Sequence, residues 1–285
     1  MAKHETAILA LLGASLVLIG SAPITRSSAA EQWLTWFSRI HDATTRPPLR
    51  ATAASTAYST PASGANAIRE ALAIVAKTTT VPLEAPYPST IRAPGFKGYL
   101  SASTMATTNR YAVILTETDK AYPVNDPAIQ RTTGLAQQIG IFSGQRYRSA
   151  VAAQAALYTG NYQPPPASRP RHIRLLPAVT ADEWRQRNAT IPMGIMEWHQ
   201  HGWTVQINQL LDSSLARTLA RRLAHTRLPA NHGVIAVENA GDGAHTIVCW
   251  RSGRVDYQTF SESLPQTAID MAASMHLIAK QRLAP

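Results

Sequence analysis

The C-terminal half of the chain alternates apolar and polar residues in a pattern that recurs 52 positions later. Alternation with period two marks a strand with one buried face, and apolar residues three or four apart mark one face of a helix. The aligned pairs are Trp198 with Trp250, Trp203 with Val255, Val205 with Tyr257, Ile207 with Thr259, and the helical sets Ala216, Leu219, Ala220, Leu223 with Ala268, Met271, Ala272, Met275. Each copy is therefore predicted to form a strand ending at tryptophan, a short glycine-containing turn, a second strand and a helix.

Shorter patterns of the same kind predict the remaining elements. Further strands are expected over 98–105, 110–117, 135–142, 171–176 and 233–238, and helices over 66–77 and from the capping residue Ser149 to 158. With these additions each unit becomes strand, strand, strand, helix, and the N-terminal half shows the same order. We therefore predict an α+β fold with antiparallel β-sheet packed against helices and built from repeated strand-strand-strand-helix units.

The first thirty residues have the layout of an export signal. Lys3 precedes an apolar run over 7–20, and small residues at 28–30 supply a cleavage site. If the apolar run is extended to Ile24, it approaches the ~20 residues that span a bilayer, so an uncleaved membrane anchor is the alternative. Both interpretations place the bulk of the protein outside the cytoplasm, either secreted or anchored, with its N-terminus in contact with the membrane.

The rest of the chain divides by composition. Residues 31–40 carry four large apolar side chains at helical spacing, which predicts a short amphipathic helix that either docks on the protein or lies on a membrane surface. Residues 41–64 are rich in Ala, Thr, Ser and Pro without periodicity, which predicts a flexible linker. The proline-rich stretch 160–171 then separates two expected α+β subdomains, 65–165 and 166–285.

The formal net charge of +10 is carried mainly by arginine. The candidate binding residues are Arg171, Arg174, Arg221 and Arg222, which could face an anionic envelope polymer, lipid headgroups or an envelope protein. The alternative is a solvated surface with a basic bias. Nucleic acid is not an expected partner, because the chain has export features and lacks the aromatic and basic signature of an RNA-binding sheet.

One short segment offers a metal-binding hypothesis. Glu197, His199 and His201 alternate along a predicted strand, so they could share a face and offer one carboxylate and two imidazoles, which are zinc ligands. The alternative is the exposed polar end of a hairpin, since Gly202 indicates that the chain is already turning. The single cysteine, Cys249, excludes an intramolecular disulfide and lies in an apolar run typical of a small buried side chain.

The last third of the chain resembles a known group of domains. Trp250, Gly253 and Tyr257, followed by the helix 269–275, look like the end of uncharacterised exported domains in envelope proteins of spore-forming, Gram-positive-type bacteria. The resemblance implies an extracytoplasmic α+β module and transfers no catalytic residue. The other tryptophan copy departs from the motif by one residue, because Gly202 follows Trp198 by four positions.

These features together favour a non-catalytic, exported or membrane-tethered binding or accessory module of the cell envelope. No catalytic residue can be named, and no dinucleotide-binding, Walker or nucleophile-elbow motif predicts a cofactor or a covalent mechanism. The alternative function is an exported hydrolase, metal-assisted through Glu197, His199 and His201.

Overall fold

The structure, a computed structural model, describes residues 64–91, 98–131, 137–158, 162–187, 189–239, 244–262 and 264–279. The predicted signal or anchor, the predicted helix 31–40 and the linker up to residue 63 lie outside these ranges. Gly64, the last residue of the predicted linker, begins the first helix. Within the described ranges, no helix has the length and apolar character needed to cross a membrane.

Helices and strands alternate along the chain in groups. The helices are α1 (Gly64–Ala76), α2 (Ala128–Arg131), α3 (Ala150–Ala156), α4 (Ser213–His225) and α5 (Pro265–Ser274), with a 3-10 turn at Pro88–Thr90. The strands are β1 (Leu83–Ala85), β2 (Tyr99–Thr107), β3 (Arg110–Thr118), β4 (Gln137–Arg146), β5 (Arg171–Leu176), β6 (Val179–Arg185), β7 (Met193–Gln200), β8 (Trp203–Leu210), β9 (Gly233–Asn239), β10 (Ala244–Ser252), β11 (Val255–Ser261) and β12 (His276–Ile278).

A ten-stranded sheet dominates the fold, in the order β2-β3-β4-β11-β10-β9-β8-β7-β6-β5. All neighbours are antiparallel except β8 and β9, which are parallel because α4 carries the chain across between them. The expectation of a purely antiparallel sheet is therefore wrong at this one pair. Because β4 pairs with β11, the two predicted subdomains contribute strands to the same sheet. A separate antiparallel pair joins β1 to β12.

The sheet buries one face beneath helices, which we call the helix face. Helices α1, α4 and α5 share a single apolar cluster with alternate residues of the strands. Trp198, Trp203 and Trp250 are among its largest side chains, each at most 2% exposed. Aromatic side chains of this size each remove ~150–250 Å² from water, so the tryptophans supply much of the apolar burial. The opposite surface of the sheet is called the outer face.

The hairpin that joins β7 to β8 turns on two residues with positive φ, His201 at 51° and Gly202 at 81°. Positive φ at both central positions is the geometry whose twist matches the flanking strands. A Cβ on residue 202 would lie 2.1 Å from the backbone oxygen of Asn231, so this position also requires glycine for lack of space. The register then pairs Trp198 with Val205, as β10 and β11 pair Trp250 with Tyr257.

Candidate functional site

The edge of the sheet at β5 carries a concentration of exposed arginines. We define the arginine edge as the five arginines of β5, β6 and their connections, all of which are exposed: Arg169, Arg171, Arg174, Arg185 and Arg187. Proline residues precede and follow β5, and Trp184 Nε1 donates to the carbonyl oxygen of Ser168 at 2.8 Å, which fixes the approach to the strand. The arginine edge is therefore held on a defined backbone.

Part of this charge is balanced by a buried carboxylate. Glu183 is 4% exposed and lies on the helix face of β6. Arg185 Nε donates to Glu183 Oε1 at 2.6 Å, and Arg171 Nη1 lies 3.9 Å from the same oxygen. A carboxylate desolvated to this extent needs such partners, because an unpaired buried charge is strongly unfavourable. Two of the five arginines thus have a structural role as well as an exposed surface.

The two candidate arginines of β5 lie on opposite faces of the sheet. Arg171 stands opposite Glu183 and Arg174 opposite Thr180, and successive residues of a strand alternate between faces. Arg171 therefore faces the helix side, whereas Arg174 faces outward and donates to the carbonyl oxygen of Pro177 at 3.3 Å. β5 therefore carries positive charge on both the helix face and the outer face of the sheet, next to its free edge.

The two candidate arginines of α4 behave differently from each other. Arg222 forms an ion pair with Asp270 of α5, with Nε 3.2 Å from Oδ1, and both side chains are about one-third exposed. Arg221 is exposed, and no hydrogen bond or ion pair to it is found in the described ranges. The four predicted binding residues therefore do not form one patch: Arg222 joins two helices, and the β5 pair belongs to the arginine edge.

The Arg222–Asp270 pair is expected to contribute modestly to stability. A double-mutant cycle with Arg222→Ala and Asp270→Ala should give a coupling of about 0.2–1 kcal/mol, because both groups remain in contact with water. The measurement is chemical denaturation of the four proteins. Arg221→Ala is the matched control on the same helix and should change the free energy of unfolding by less than about 0.5 kcal/mol. A coupling near zero would contradict an energetic link between α4 and α5.

A row of polar side chains crosses the outer face beside the arginine edge. The register places His172, Asp182, Glu197 and Gln206 opposite one another on β5, β6, β7 and β8. His172 Nδ1 and Asp182 Oδ1 are 2.7 Å apart, and Gln206 Nε2 donates to Glu197 Oε2 at 3.0 Å. Two carboxylates face each other directly across β6 and β7. The exposed end of the row is formed by His172 and Asp182, whereas Glu197 is 12% exposed and Gln206 is buried.

The three predicted metal ligands are only partly brought together. His199 Nε2 lies 3.9 Å from Glu197 Oε1, and Thr204 Oγ1 lies 3.2 Å from His199 Nδ1. His201 occupies the turn, with φ of 51°. Among the described residues, no three or more His, Cys, Asp or Glu side chains are arranged to hold a metal ion. Metal binding by Glu197, His199 and His201 stays a prediction, which elemental analysis of the purified protein would test.

His201 instead borders a small cavity at the end of the hairpin. The cavity has a volume of about 220 Å³ and lies between the β7–β8 turn, the end of α4 and the chain that follows it. Its lining includes Trp203 and Leu223, and Trp203 Nε1 donates to the carbonyl oxygen of Ala230 at 3.0 Å. This volume is below the ~300 Å³ at which small-molecule sites begin, so the cavity suits at most a small group.

Two carboxyl groups are strongly perturbed by burial. Desolvation raises the pKa of Asp256 on β11 to about 7, against the opposing effect of Arg251, and raises the pKa of Glu84 on β1 to about 7, against a hydrogen bond from Trp250. Burial, with a contribution from Asp256, also raises the pKa of the Cys249 thiol well above its usual range. A thiol that stays protonated is a poor nucleophile. The Cys249 side chain is partly buried, rather than fully buried as expected.

Sequence reasoning missed β6 and, with it, the two acids that organise this region. The segment Val179–Arg185 places Ala181 and Glu183 toward the core, so a charged residue occupies a position where alternation calls for an apolar one. The usable signal was the short turn after β5 together with Ala181 and Trp184. The partner arginine at 185, two residues from Glu183 and therefore on the same face, was a second signal.

Comparison of this chain with protein-family models, with curated proteins and with solved structures gave no match. The function must therefore be inferred from the geometry of the described residues.

Proposed function

We propose that this protein is a non-catalytic binding module that acts outside the cytoplasm on an anionic component of the cell envelope, through the arginine edge. The observation that carries the proposal is the clustering of five exposed arginines at one edge of the sheet, where two carboxylates, Asp182 and Glu183, offset only part of the charge. One of those carboxylates is buried on the helix face and does not screen the outer surface.

Arginine suits this role because of its chemistry. The guanidinium is planar, permanently charged and able to donate two parallel hydrogen bonds to a phosphate or carboxylate. The spacing of charges along an extended polymer can then be matched by side chains held on two rigid strands. Since charges act over a Debye length of ~10 Å at 0.1 M salt, the arginine edge should attract a polyanion as a unit at low salt.

The exposure of two histidines on the outer face also supports binding at a surface. The side chains of His172 and His199 are 66% and 73% exposed, respectively. General acid-base catalysis gains most from a site that excludes water, and these side chains do not lie in such a site. The exported location rests on the N-terminal 30 residues and remains part of the proposal.

We also propose that the C-terminal region arose from two equivalent units. The support is the 52-residue offset, which relates the hairpin β7–β8 to β10–β11 and the following helix α4 to α5. Under this proposal β9 is the counterpart of β6, because each precedes and pairs with the first strand of its hairpin at nearly the same offset. Only β5 would then be an addition that the duplication does not explain.

The test is binding of the full chain to linear polyphosphate at 25 and 200 mM salt. The triple variant Arg169→Gln, Arg174→Gln, Arg187→Gln avoids the two arginines that neutralise Glu183 and should weaken binding by about tenfold or more at low salt, with a smaller slope of affinity against salt. The matched control, Arg221→Gln, Arg227→Gln, Arg254→Gln, removes the same charge from exposed positions elsewhere. Equal losses in both triples, or no binding by the unmodified protein, would overturn the proposal.

A further inference from the structure

We propose that β5 accepts an extended acidic segment of another protein as an additional strand of the sheet. This inference deepens the proposed function and rests on it, because it takes the arginine edge as the binding surface and specifies how a partner lies on it. The starting point is that β5 ends the ten-stranded sheet and pairs only with β6.

Among the described residues, no strand pairs with β5 along the side that lies away from β6. Within the described ranges, the hydrogen bonds outside regular strand pairing include none from the backbone of residues 171–176. The side chains of Arg171 and His172, at the start of the strand, are 65% and 66% exposed, whereas Leu175 near its end is buried in the main core. An exposed strand offers alternate N–H and C=O groups to any chain that can lie alongside it.

The other edge of the sheet is treated differently. Beside β2, the backbone N–H of Asn125 donates to the carbonyl oxygen of Ala102 at 3.0 Å. The side chain of the same residue accepts from the backbone N–H of Thr104 at 2.6 Å. The segment after β3 thus covers the middle of the β2 edge with this chain's own groups. Only the β5 edge leaves its central backbone available among the described strands of the large sheet.

Charge selects the partner. An incoming strand would run between Arg171 on the helix side and Arg174 on the outer side, with Arg169 two residues before β5 and Arg187 two residues after β6. A second copy of this protein pairing through the same edge would bring arginines against arginines, and like charges directly opposite on paired strands are destabilising. An acidic segment would instead gain charge-assisted hydrogen bonds from both sides of the strand.

The register gives the partner a sequence pattern. Arg171 and Ile173 face the helix side, while His172 and Arg174 face outward. Ile173 packs against the edge of the apolar core. A matching strand therefore carries acids three residues apart, with an apolar residue between them opposite Ile173. The irregularity between Arg174 and Leu176 ends the flat part of the edge, so four residues carry the recognition.

The experiment measures binding of two synthetic, end-blocked peptides to the full chain. The peptide with the core Glu-Val-Thr-Glu fits β5 as an antiparallel strand, and the peptide with the core Glu-Thr-Val-Glu fits it as a parallel strand. The matched control for each is the same peptide N-methylated at alternate residues, in both possible phases, which removes backbone donors without changing charge. One of the two core peptides should bind about tenfold more tightly than the corresponding peptide methylated in the phase that faces β5. Amide hydrogen exchange at alternate residues of 171–176 should slow on binding.

The outcomes separate this inference from the proposed function. If methylated and unmethylated peptides bind equally, or if the amides of β5 exchange as before, strand addition is wrong, while polyphosphate binding by the arginine edge can still hold. If Arg174→Gln leaves peptide affinity unchanged, the charge selection is wrong. If polyphosphate fails to bind but the peptide binds with slowed exchange, the envelope-polymer function fails and strand addition stands.

Discussion

Replacing Trp198 with alanine is expected to lower the free energy of unfolding by about 3–5 kcal/mol. The side chain is 1% exposed in the main core, so its removal leaves a large cavity between β7 and the helix layer. The indole also donates from Nε1 to Gln200 Oε1 at 3.3 Å, and Gln200 Nε2 donates to the carbonyl oxygen of Ala220 on α4 at 2.9 Å. The substitution therefore removes packing and leaves a buried amide oxygen without its donor.

Trp184→Ala is the matched control for this prediction. Trp184 lies on β6 and is only partly buried, with its indole donating to the backbone oxygen of Ser168. Its replacement should cost about 1–2 kcal/mol, the value of one hydrogen bond with limited packing. Urea or guanidinium denaturation of the three purified proteins gives the comparison. Equal losses at 198 and 184 would mean that Trp198 does not occupy the core.

The fold was accessible from the sequence where polarity alternated cleanly. The hairpins around Trp198 and Trp250 and the strand 171–176 appear as predicted, because each alternates an apolar and a polar face, but the position of 171–176 at the edge of the sheet was not predicted. The parallel pairing of β8 with β9 was not, since alternation shows which face is buried but not which strand becomes the neighbour. The neighbour is determined by α4, because this helix carries the chain back across the sheet and so places β9 parallel to β8.

The candidate site was predicted less well than the fold, for a physical reason. Arginines at 171, 174, 221 and 222 look alike in the sequence, yet the structure pairs Arg222 with Asp270 and Arg171 with Glu183. Asp270 is distant from Arg222 in the chain, and Glu183 lies on β6, a strand that was not predicted. Counting charges therefore overstates what is available for binding, and only the register across β5 and β6 shows which charge is exposed.

Periodicity does not single out one carboxyl group that the structure buries. Asp256 alternates regularly with apolar residues on β11, a pattern typical of a solvated strand position. The register instead places it between Gln145 and Arg251 on the outer face, and both carboxyl oxygens are buried without a hydrogen-bond partner among the described residues. Burial beneath neighbouring chain cannot be read from periodicity, which reports faces but not what covers them.

Asp256→Asn is expected to stabilise the protein more at pH 8 than at pH 5. Burial raises the pKa of Asp256 to about 7 in the folded state, from an ordinary value of 3.8. The folded protein therefore binds this proton more tightly than the unfolded chain, so the stability that depends on it is present below pH ~4 and is lost as the pH rises to about 7. Asparagine is never ionised and escapes that loss.

The size of the effect follows from the shift. The rise in the pKa of Asp256 corresponds to at most about 4 kcal/mol at 1.36 kcal/mol per pH unit, and solvent screening of this partly accessible residue reduces the expected gain at pH 8 to about 1–3 kcal/mol. Denaturation of both proteins at pH 5 and pH 8 measures it. Asp182→Asn, at a carboxyl that is 44% exposed and paired with His172, is the control and should give no such gain.

A constant difference between Asp256→Asn and the unmodified protein at both pH values would show that Asp256 is solvated or already paired. If the expected difference is found, the stability of the Asp256→Asn variant should still fall somewhat as the pH rises, because burial also raises the pKa of Glu84 to about 7. Combining Asp256→Asn with Glu84→Gln should then remove most of the fall in stability between pH 5 and pH 8. Asp256 lies on the outer face of the large sheet and Glu84 on β1 at its helix face, so their effects should add to within about 0.5 kcal/mol.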